Sequence, residues 1–69
     1  MSKAYDFYKG RIESCPSYGF KSGHEILDTV IRCVFSDSSL TKEEFNSIMK
    51  LADKAEIKML EDDYNEGWN

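Results

Sequence analysis

Residues with catalytic chemistry are scarce in this chain. Its 69 residues include one histidine, His24, and two cysteines, Cys15 and Cys33. The spacing of these residues matches no metal-binding motif, and no third group is placed to orient a thiol–imidazole pair. A chain this short also leaves little room for a closed pocket. We therefore expect a protein that is not an enzyme and holds no cofactor or metal ion, with a thiol enzyme as the least favoured alternative.

Long apolar runs and a dense set of cysteines are missing too. No stretch is long enough to span a bilayer, and residues 1–6 lack the apolar core of a signal peptide. Small secreted scaffolds usually carry four or more cysteines. Cys15 and Cys33 are therefore predicted to be reduced thiols in or near the core. These absences favour a cytoplasmic protein that does not contact membranes.

Two binding functions are disfavoured by particular residues. Residues 33–44 fall in the register of an EF-hand calcium loop, but Ser38 occupies the sixth position, where glycine is needed. A helix-turn-helix reader of DNA would bring Glu43 and Glu44 towards phosphate groups, which repel carboxylates. We therefore expect neither bound calcium nor direct binding of nucleic acid.

The composition of the chain fits a small globular domain. Hydrophobic residues make up 41% of the sequence and charged residues 32%, a balance typical of a folded chain rather than a disordered one. The length allows one domain, residues 1–69, and that domain can bury only a small core. Within it, residues 61–69 form an acidic C-terminal end.

Apolar residues recur at helical spacing in three segments, over about residues 3–14, 22–36 and 42–66. Pro16 follows the first segment, and the residue before a proline avoids the helical region. Two long amphipathic helices joined by a short link pack antiparallel. The sequence thus predicts an all-α fold, a small three-helix bundle dominated by an antiparallel hairpin of the second and third helices.

Capping boxes mark the predicted starts of the second and third helices. Ser22 with Glu25, and Thr41 with Glu44, have the spacing in which a hydroxyl and a carboxylate exchange hydrogen bonds with each other's amides. The core stripe predicted for the second helix comprises Ile26, Leu27, Val30, Ile31, Val34 and Phe35. The core stripe predicted for the third comprises Phe45, Ile48, Met49, Ala52, Ala55, Met59 and Leu60.

Charge is unevenly distributed along the chain. Basic and acidic residues balance over residues 1–55, so the net charge of −4 falls on residues 56–69. The same stretch contains a tyrosine and the single tryptophan, and an acidic segment with embedded aromatics suits a basic, partly apolar partner. The candidate partner-binding residues are Glu61, Asp62, Asp63, Tyr64, Glu66 and Trp68. A frayed acidic terminus is the alternative interpretation.

Aromatic residues are also concentrated near the N-terminus, in greater number than a small core is expected to bury. The secondary interface candidates are Tyr5, Phe7, Tyr8, Tyr18 and Phe20. They would contact a partner protein or a second copy of the chain in a homodimer. Tyr18 and Phe20 lie in the connector between the first two helices, where they are otherwise expected to fold back onto the core.

By elimination, the sequence predicts a non-enzymatic protein-binding module that acts by stoichiometric binding, as an inhibitor or an adaptor. The alternative is an acidic mimic of nucleic acid that inhibits a nuclease or another DNA- or RNA-binding protein. Small acidic proteins of phages and mobile elements that block restriction or CRISPR nucleases are similar in size and charge. Against mimicry, lysines interleave the acids of the third helix. Mimicry should weaken steeply with salt, and binding through aromatics should weaken less.

Overall fold

Three α-helices account for most of the described chain. The computed structural model describes residues 2–67, with side chains described for residues 2–64. The elements follow in the order α1 (Lys3–Ser14), a 3-10 helix (Cys15–Tyr18), α2 (Phe20–Ser36) and α3 (Lys42–Gly67). Residues 2–67 contain no β-strand, and each helix packs on the other two. The predicted three-helix bundle is confirmed.

Helix α1 has the predicted bounds because both of its ends are defined locally. The Ser2 hydroxyl accepts a hydrogen bond from the Tyr5 amide at 3.2 Å, which satisfies one of the amides that a helix start leaves unpaired. Pro16 lies in the first turn of the 3-10 helix, where its missing N–H removes no hydrogen bond. The chain therefore leaves α1 at Ser14 and turns towards α2.

Helix α2 begins earlier than the predicted capping box. It starts at Phe20 after Gly19, whose φ of 88° lies in the left-handed region that glycine adopts readily. The Gly23 amide donates to the Gly19 carbonyl at 2.9 Å, so the first turn of α2 already includes Ser22. Ser22 lies inside the helix, and the prediction that it caps α2 with Glu25 is wrong.

Helix α3 begins at the predicted capping box. The Glu44 amide donates to Thr41 Oγ1 at 3.1 Å, and the Thr41 amide donates to Glu44 Oε1 at 3.0 Å. This exchange satisfies amides that the start of a helix cannot bond internally. The prediction for α3 is confirmed at the level of individual atoms.

The core lies between the three helices and follows most of the predicted stripes. Its buried apolar side chains are Tyr8, Ile12, Cys15, Leu27, Val30, Val34, Ile48, Ala52, Ala55 and Met59. The prediction that Phe35 and Leu60 belong to the core is wrong, since they are 66% and 48% exposed. Each follows a buried neighbour, Val34 or Met59, and one residue turns a helix by roughly 100°. That rotation carries both side chains to the edge of the buried face.

The two cysteines are both free but differ in burial. Cys15 lies in the core, where its thiol donates to the Arg11 carbonyl at 3.2 Å. Desolvation of the buried thiol raises the pKa of Cys15. Cys33 is exposed, so the prediction that both thiols lie in or near the core is correct for Cys15 and wrong for Cys33.

Helix α3 is longer than the helices on which it packs. Its start lies beside the start of α1, where Ser2 bonds Glu44, and α2 runs antiparallel to both. Helix α3 has 26 residues and α2 has 17, so at ~1.5 Å per residue the difference is roughly 13 Å. The extra length follows Met59, which packs at Gly23 near the start of α2. We call residues 60–67 the α3 extension.

Candidate functional site

A buried carboxylate links α1 and α3 at the end of the bundle where both helices begin. Glu44 Oε2 accepts the Ser2 amide at 3.0 Å and the Ser2 hydroxyl at 2.7 Å, while Oε1 accepts the Thr41 amide. These bonds, that from the Ser2 hydroxyl foremost, favour the charged form and lower the pKa of Glu44 to about 2. Glu44 is 6% exposed and engages both helices, so its role is structural.

A tyrosine–aspartate pair reinforces the same end. The Tyr8 hydroxyl donates to Asp37 Oδ2 at 2.7 Å; this bond, assisted by burial, raises the pKa of Tyr8 to about 12. Hydrogen bonds from the Ser39 side chain, from Tyr8 and from the Ser39 amide lower the pKa of Asp37. The residues that we call the closed end are Ser2, Tyr8, Asp37, Thr41 and Glu44. Their polar groups bond one another, which leaves little for a ligand.

The opposite end of the molecule exposes apolar side chains on α3. Ile57, Leu60 and Tyr64 are 56%, 48% and 63% exposed. Their spacing of three and four residues places them along one side of the helix. We call these three residues the apolar strip. It begins near the level at which α2 starts and continues along the α3 extension, so it passes beyond the packed core.

The charged residues around the apolar strip are mostly acidic. The acidic residues that flank the strip are Asp53, Glu56, Glu61 and Asp63. Both lysines of the same stretch, Lys54 and Lys58, line the groove that α3 forms with α1. Lys58 lies away from the strip, whereas Lys54 precedes Ile57 by three residues and lies at the edge of the strip. Within residues 53–64, the side of α3 that carries the strip therefore bears four carboxylates and one cation at its edge. We call the strip and its four acidic neighbours the acidic apolar face.

The structure divides the residues that the sequence predicted for partner binding. Glu61, Asp63 and Tyr64 line one surface concavity together with Leu60. Asp62 lies on the other side of α3, where it accepts from the Lys58 ammonium at 3.4 Å. The predicted cluster is thus split between two sides of one helix.

Two of the residues predicted for partner binding lie outside the described side chains, and two residues of the apolar strip are not among the predicted ones. The side chain of Glu66 and the whole of Trp68 lie outside the described residues. Ile57 and Leu60 are not among the sequence candidates, because the pattern assigns Leu60 to the core stripe and leaves Ile57 outside it. Their spacing with Tyr64 is the sequence signal that could have identified them.

The secondary interface candidates also divide between core and surface. Tyr8 is buried and Tyr5 is half-buried against the core. The exposed members are Phe7, Tyr18 and Phe20. The expectation that Tyr18 and Phe20 fold back onto the core is wrong, because the 3-10 helix leads directly into α2. The connector has no free loop that could return these rings to the interior.

Grooves run between the helix pairs, and two of them include basic residues. The α1–α2 groove has Arg11 on one wall and Glu25 on the other. The α1–α3 groove has Lys54 and Lys58 on one wall and Glu13 on the other. Both grooves therefore mix charges of the two signs.

The groove between α2 and α3 has a different lining. His24, Leu27, Asp28 and Ile31 line its α2 wall, and Glu56 lines its α3 wall. Its charged lining residues are thus acidic, and apolar side chains lie between them. This groove opens onto the acidic apolar face, because Glu56 belongs to both.

Other kinds of site find no support in the described residues. Among residues 2–64, whose side chains the structure describes, no group of three ligand side chains could hold a metal ion. The described helices also lack the combination of length and apolarity that crossing a membrane requires. His24 Nδ1 lies 2.7 Å from the Phe20 carbonyl oxygen, so that nitrogen is engaged within α2. No protein-family model, curated protein or solved structure matches this chain.

Proposed function

We propose that the protein is a non-enzymatic binding module that holds a basic, partly apolar partner protein on the acidic apolar face of α3. The observation that carries the proposal is the exposed strip of Ile57, Leu60 and Tyr64 surrounded by carboxylates. Removing these side chains from water would contribute affinity. The carboxylates would attract a basic partner and raise the rate of association.

The position of the face on α3 also supports binding. Ile48, Ala52, Ala55 and Met59 anchor this helix in the core, and the apolar strip continues the same helix. Side chains presented by an already formed helix lose less conformational entropy on binding than those of a flexible tail. The face would act in a one-to-one complex, as an inhibitor where it covers a working surface of the partner and as an adaptor elsewhere.

The proposal can be tested with two matched double variants. Ile57→Ser with Leu60→Ser removes the apolar strip, and Phe7→Ser with Tyr18→Ser removes equally exposed side chains from other surfaces. Each immobilised protein would be used to capture partners from the native host. Captured proteins would then be purified and titrated against each variant.

We expect a partner that binds the wild type and the Phe7/Tyr18 variant but binds the Ile57/Leu60 variant roughly tenfold more weakly or worse. Circular dichroism would verify that both variants keep their helices. Equal affinity of the two folded variants for the purified partner would contradict the proposal and assign the interface to another surface.

Mimicry of nucleic acid is a second candidate, and one observation favours it. Lys58 lies away from the acidic apolar face and Lys54 lies only at its edge, so the carboxylates of that face are less interleaved with cations than the sequence indicates. A mimic should lose affinity steeply with salt and should depend on Glu56 and Asp63 more than on Leu60. Comparing Glu56→Gln with Leu60→Ser over a range of salt concentrations separates the two candidates.

A further inference from the structure

We propose that the groove between α2 and α3 seats a basic amphipathic helix of the partner protein, which would lie beside these helices as a fourth helix of the bundle. The inference rests on the proposed function and adds the conformation and position of the bound segment. It extends the interface from the α3 extension along the length of the bundle.

We call the end of the groove beside the start of α2 its upper end and the end beside the start of α3 its lower end. The upper end is apolar on both walls. His24 and Glu56 face each other across the groove. Phe20 lies one helical turn before His24, and their rings are 4.4 Å apart between centroids. Leu60 lies one turn after Glu56. Because α2 and α3 are antiparallel, the helical repeat brings Phe20 and Leu60 to the same level of the groove, next to the apolar strip.

The lower end of the groove is apolar as well. Phe35 lies one turn after Ile31, a groove residue, and is 66% exposed. Its ring contacts that of Phe45 on α3, with the centroids 5.4 Å apart in an edge-to-face arrangement. The lining residues of α2 run from His24 to Ile31, and with Phe20 and Phe35 one turn beyond each end the docking surface would measure roughly 22 Å at 1.5 Å per residue. That length accommodates a helix of about 15 residues.

Charge selects a basic occupant for this groove. Asp28 and Glu56 line it, and Asp53 lies one turn before Ile57 on the acidic apolar face. Arg32 pairs with Asp28 at 3.2 Å, so the net negative charge that would attract a basic helix comes from Glu56 and Asp53 on α3. A second copy of the chain would bring carboxylates against carboxylates, which is unfavourable. A partner with Lys or Arg beside its apolar row fits.

The absence of a sheet edge favours a helix over an extended segment. Residues 2–67 contain no β-strand, so they offer no ladder of free backbone groups for an added strand. An extended segment in the groove would leave its own N–H and C=O groups unpaired against apolar side chains. A helix satisfies these groups internally and packs at ~8–10 Å from its neighbours.

A peptide probe tests the inference even before a partner has been identified. The probe is a labelled peptide of about 15 residues with leucine at helical spacing and lysine between, and its control is a scrambled peptide of the same composition. Binding to the full chain is measured by fluorescence anisotropy, and helix formation by circular dichroism. The protein variants are Leu60→Ser at the upper end, Phe35→Ser at the lower end and Phe7→Ser as the control on α1.

We expect the amphipathic peptide to bind and become helical, and the scrambled peptide to bind more weakly. Leu60→Ser and Phe35→Ser should each weaken binding about tenfold, while Phe7→Ser changes it less than about twofold. Phe35→Leu keeps an apolar side chain at the lower end and should restore most of the affinity. Circular dichroism of the free variants would verify that they remain folded.

Three results would overturn the inference. One is equal binding of the two peptides, and another is no binding of either at low salt. The third is a loss with Leu60→Ser but none with Phe35→Ser. This third result would confine binding to the acidic apolar face and leave the proposed function standing. Failure of the proposed function would be recognised separately, by the titration of the purified partner against the Ile57/Leu60 variant.

Discussion

The two ends of this bundle use their polar and apolar groups in opposite ways. At the closed end, the carboxylates of Glu44 and Asp37 accept hydrogen bonds from residues of other segments. At the other end, the carboxylates of Glu61 and Asp63 line an open concavity beside Leu60. One end therefore uses its charges to hold helices together, and the other end exposes charges and apolar side chains on the surface.

This contrast indicates which acidic residues are structural and which are available for binding. Glu44 is close in sequence to exposed Glu43, yet it is buried and has a lowered pKa because Ser2 and Thr41 bond it. Net charge alone does not distinguish the two kinds of carboxylate. The distinction follows from where each helix begins and ends relative to its neighbours.

The largest effect on stability should come from the junction where α3 leaves the packed core. A Cβ at Gly23 would lie 2.5 Å from the Cys15 carbonyl oxygen and 2.5 Å from Met59 Sδ. Since the first of these atoms is backbone, Gly23→Ala should destabilise the protein by ~1–3 kcal/mol. Gly10→Ala is the control. A Cβ placed at Gly10 has no neighbour within 4 Å, so the substitution should stabilise α1 by roughly 0.5–1 kcal/mol.

Urea unfolding of the two glycine variants gives the measurement. Stability changes of opposite sign would support a closely packed junction between α2 and α3 at Gly23. Similar behaviour of the two variants would mean that α2 and α3 are not in close contact at Gly23, and the contrast between the two ends would lose its structural basis.

The next largest effect on stability should come from replacing Glu44 at the closed end, and this effect should depend on pH. The pKa of Glu44 is lowered to about 2 in the folded protein, against ~4.3 in an unfolded chain. Its stabilising contribution is therefore complete above about pH 4.5 and is lost as the pH falls towards about 2. Glu44→Gln should be less stable at neutral pH and should flatten this dependence, leaving a smaller slope from Asp37.

The exposed neighbour supplies the control for this titration. Glu43→Gln removes an equal charge from the same turn of α3 and should keep the wild-type dependence on pH. Thermal melts between pH 2 and 7, a range chosen to bracket the ~4.3 of a free carboxyl, would give the comparison. A profile for Glu44→Gln that matches the wild type would show that the carboxylate does not join α1 to α3.

Much of the fold could be predicted from local sequence signals. The bounds of α1 follow from Ser2 and Pro16, and the capping box of Thr41 and Glu44 is present as expected. The start of α2 is not predicted correctly, because the sequence pattern Ser22 to Glu25 favours a helix that begins after Ser22. Gly19 and the 3-10 helix before it start α2 earlier, and that depends on backbone geometry rather than on a side-chain motif.

The candidate site was less predictable, because it depends on how far each helix reaches. The acidic composition of the C-terminal end was evident, but its division into a face with Asp63 and a side with Asp62 follows from helical phase. The spacing of Leu60 suits the buried stripe and so predicts a core residue, whereas its exposure follows from its place beside the start of α2. The second bond of Glu44, to Ser2, needs α1 beside α3 and has no local signal.

A moderate effect is expected from the cap of α3. Thr41→Ala removes the oxygen that accepts the Glu44 amide at 3.1 Å, and loss of such a cap costs ~1 kcal/mol. Thr29→Ala is the control, since the Thr29 hydroxyl donates to a helix carbonyl that is already bonded within α2. A urea midpoint that falls no further for Thr41→Ala than for Thr29→Ala would contradict the importance of the cap.

The smallest effect on stability should come from removing the end of the chain. Met59 is the last buried side chain of α3 among residues 42–64, whose side chains are described. The pair of Lys58 with Asp62 is exposed on both sides, where such pairs contribute little. Deleting residues 61–69 should therefore change the free energy of unfolding by about 0.5 kcal/mol or less. The deletion should nevertheless weaken partner binding, because it removes Tyr64 and two flanking carboxylates. A destabilisation as large as that of Gly23→Ala would mean that this end packs on the bundle, and the two ends would then share one role.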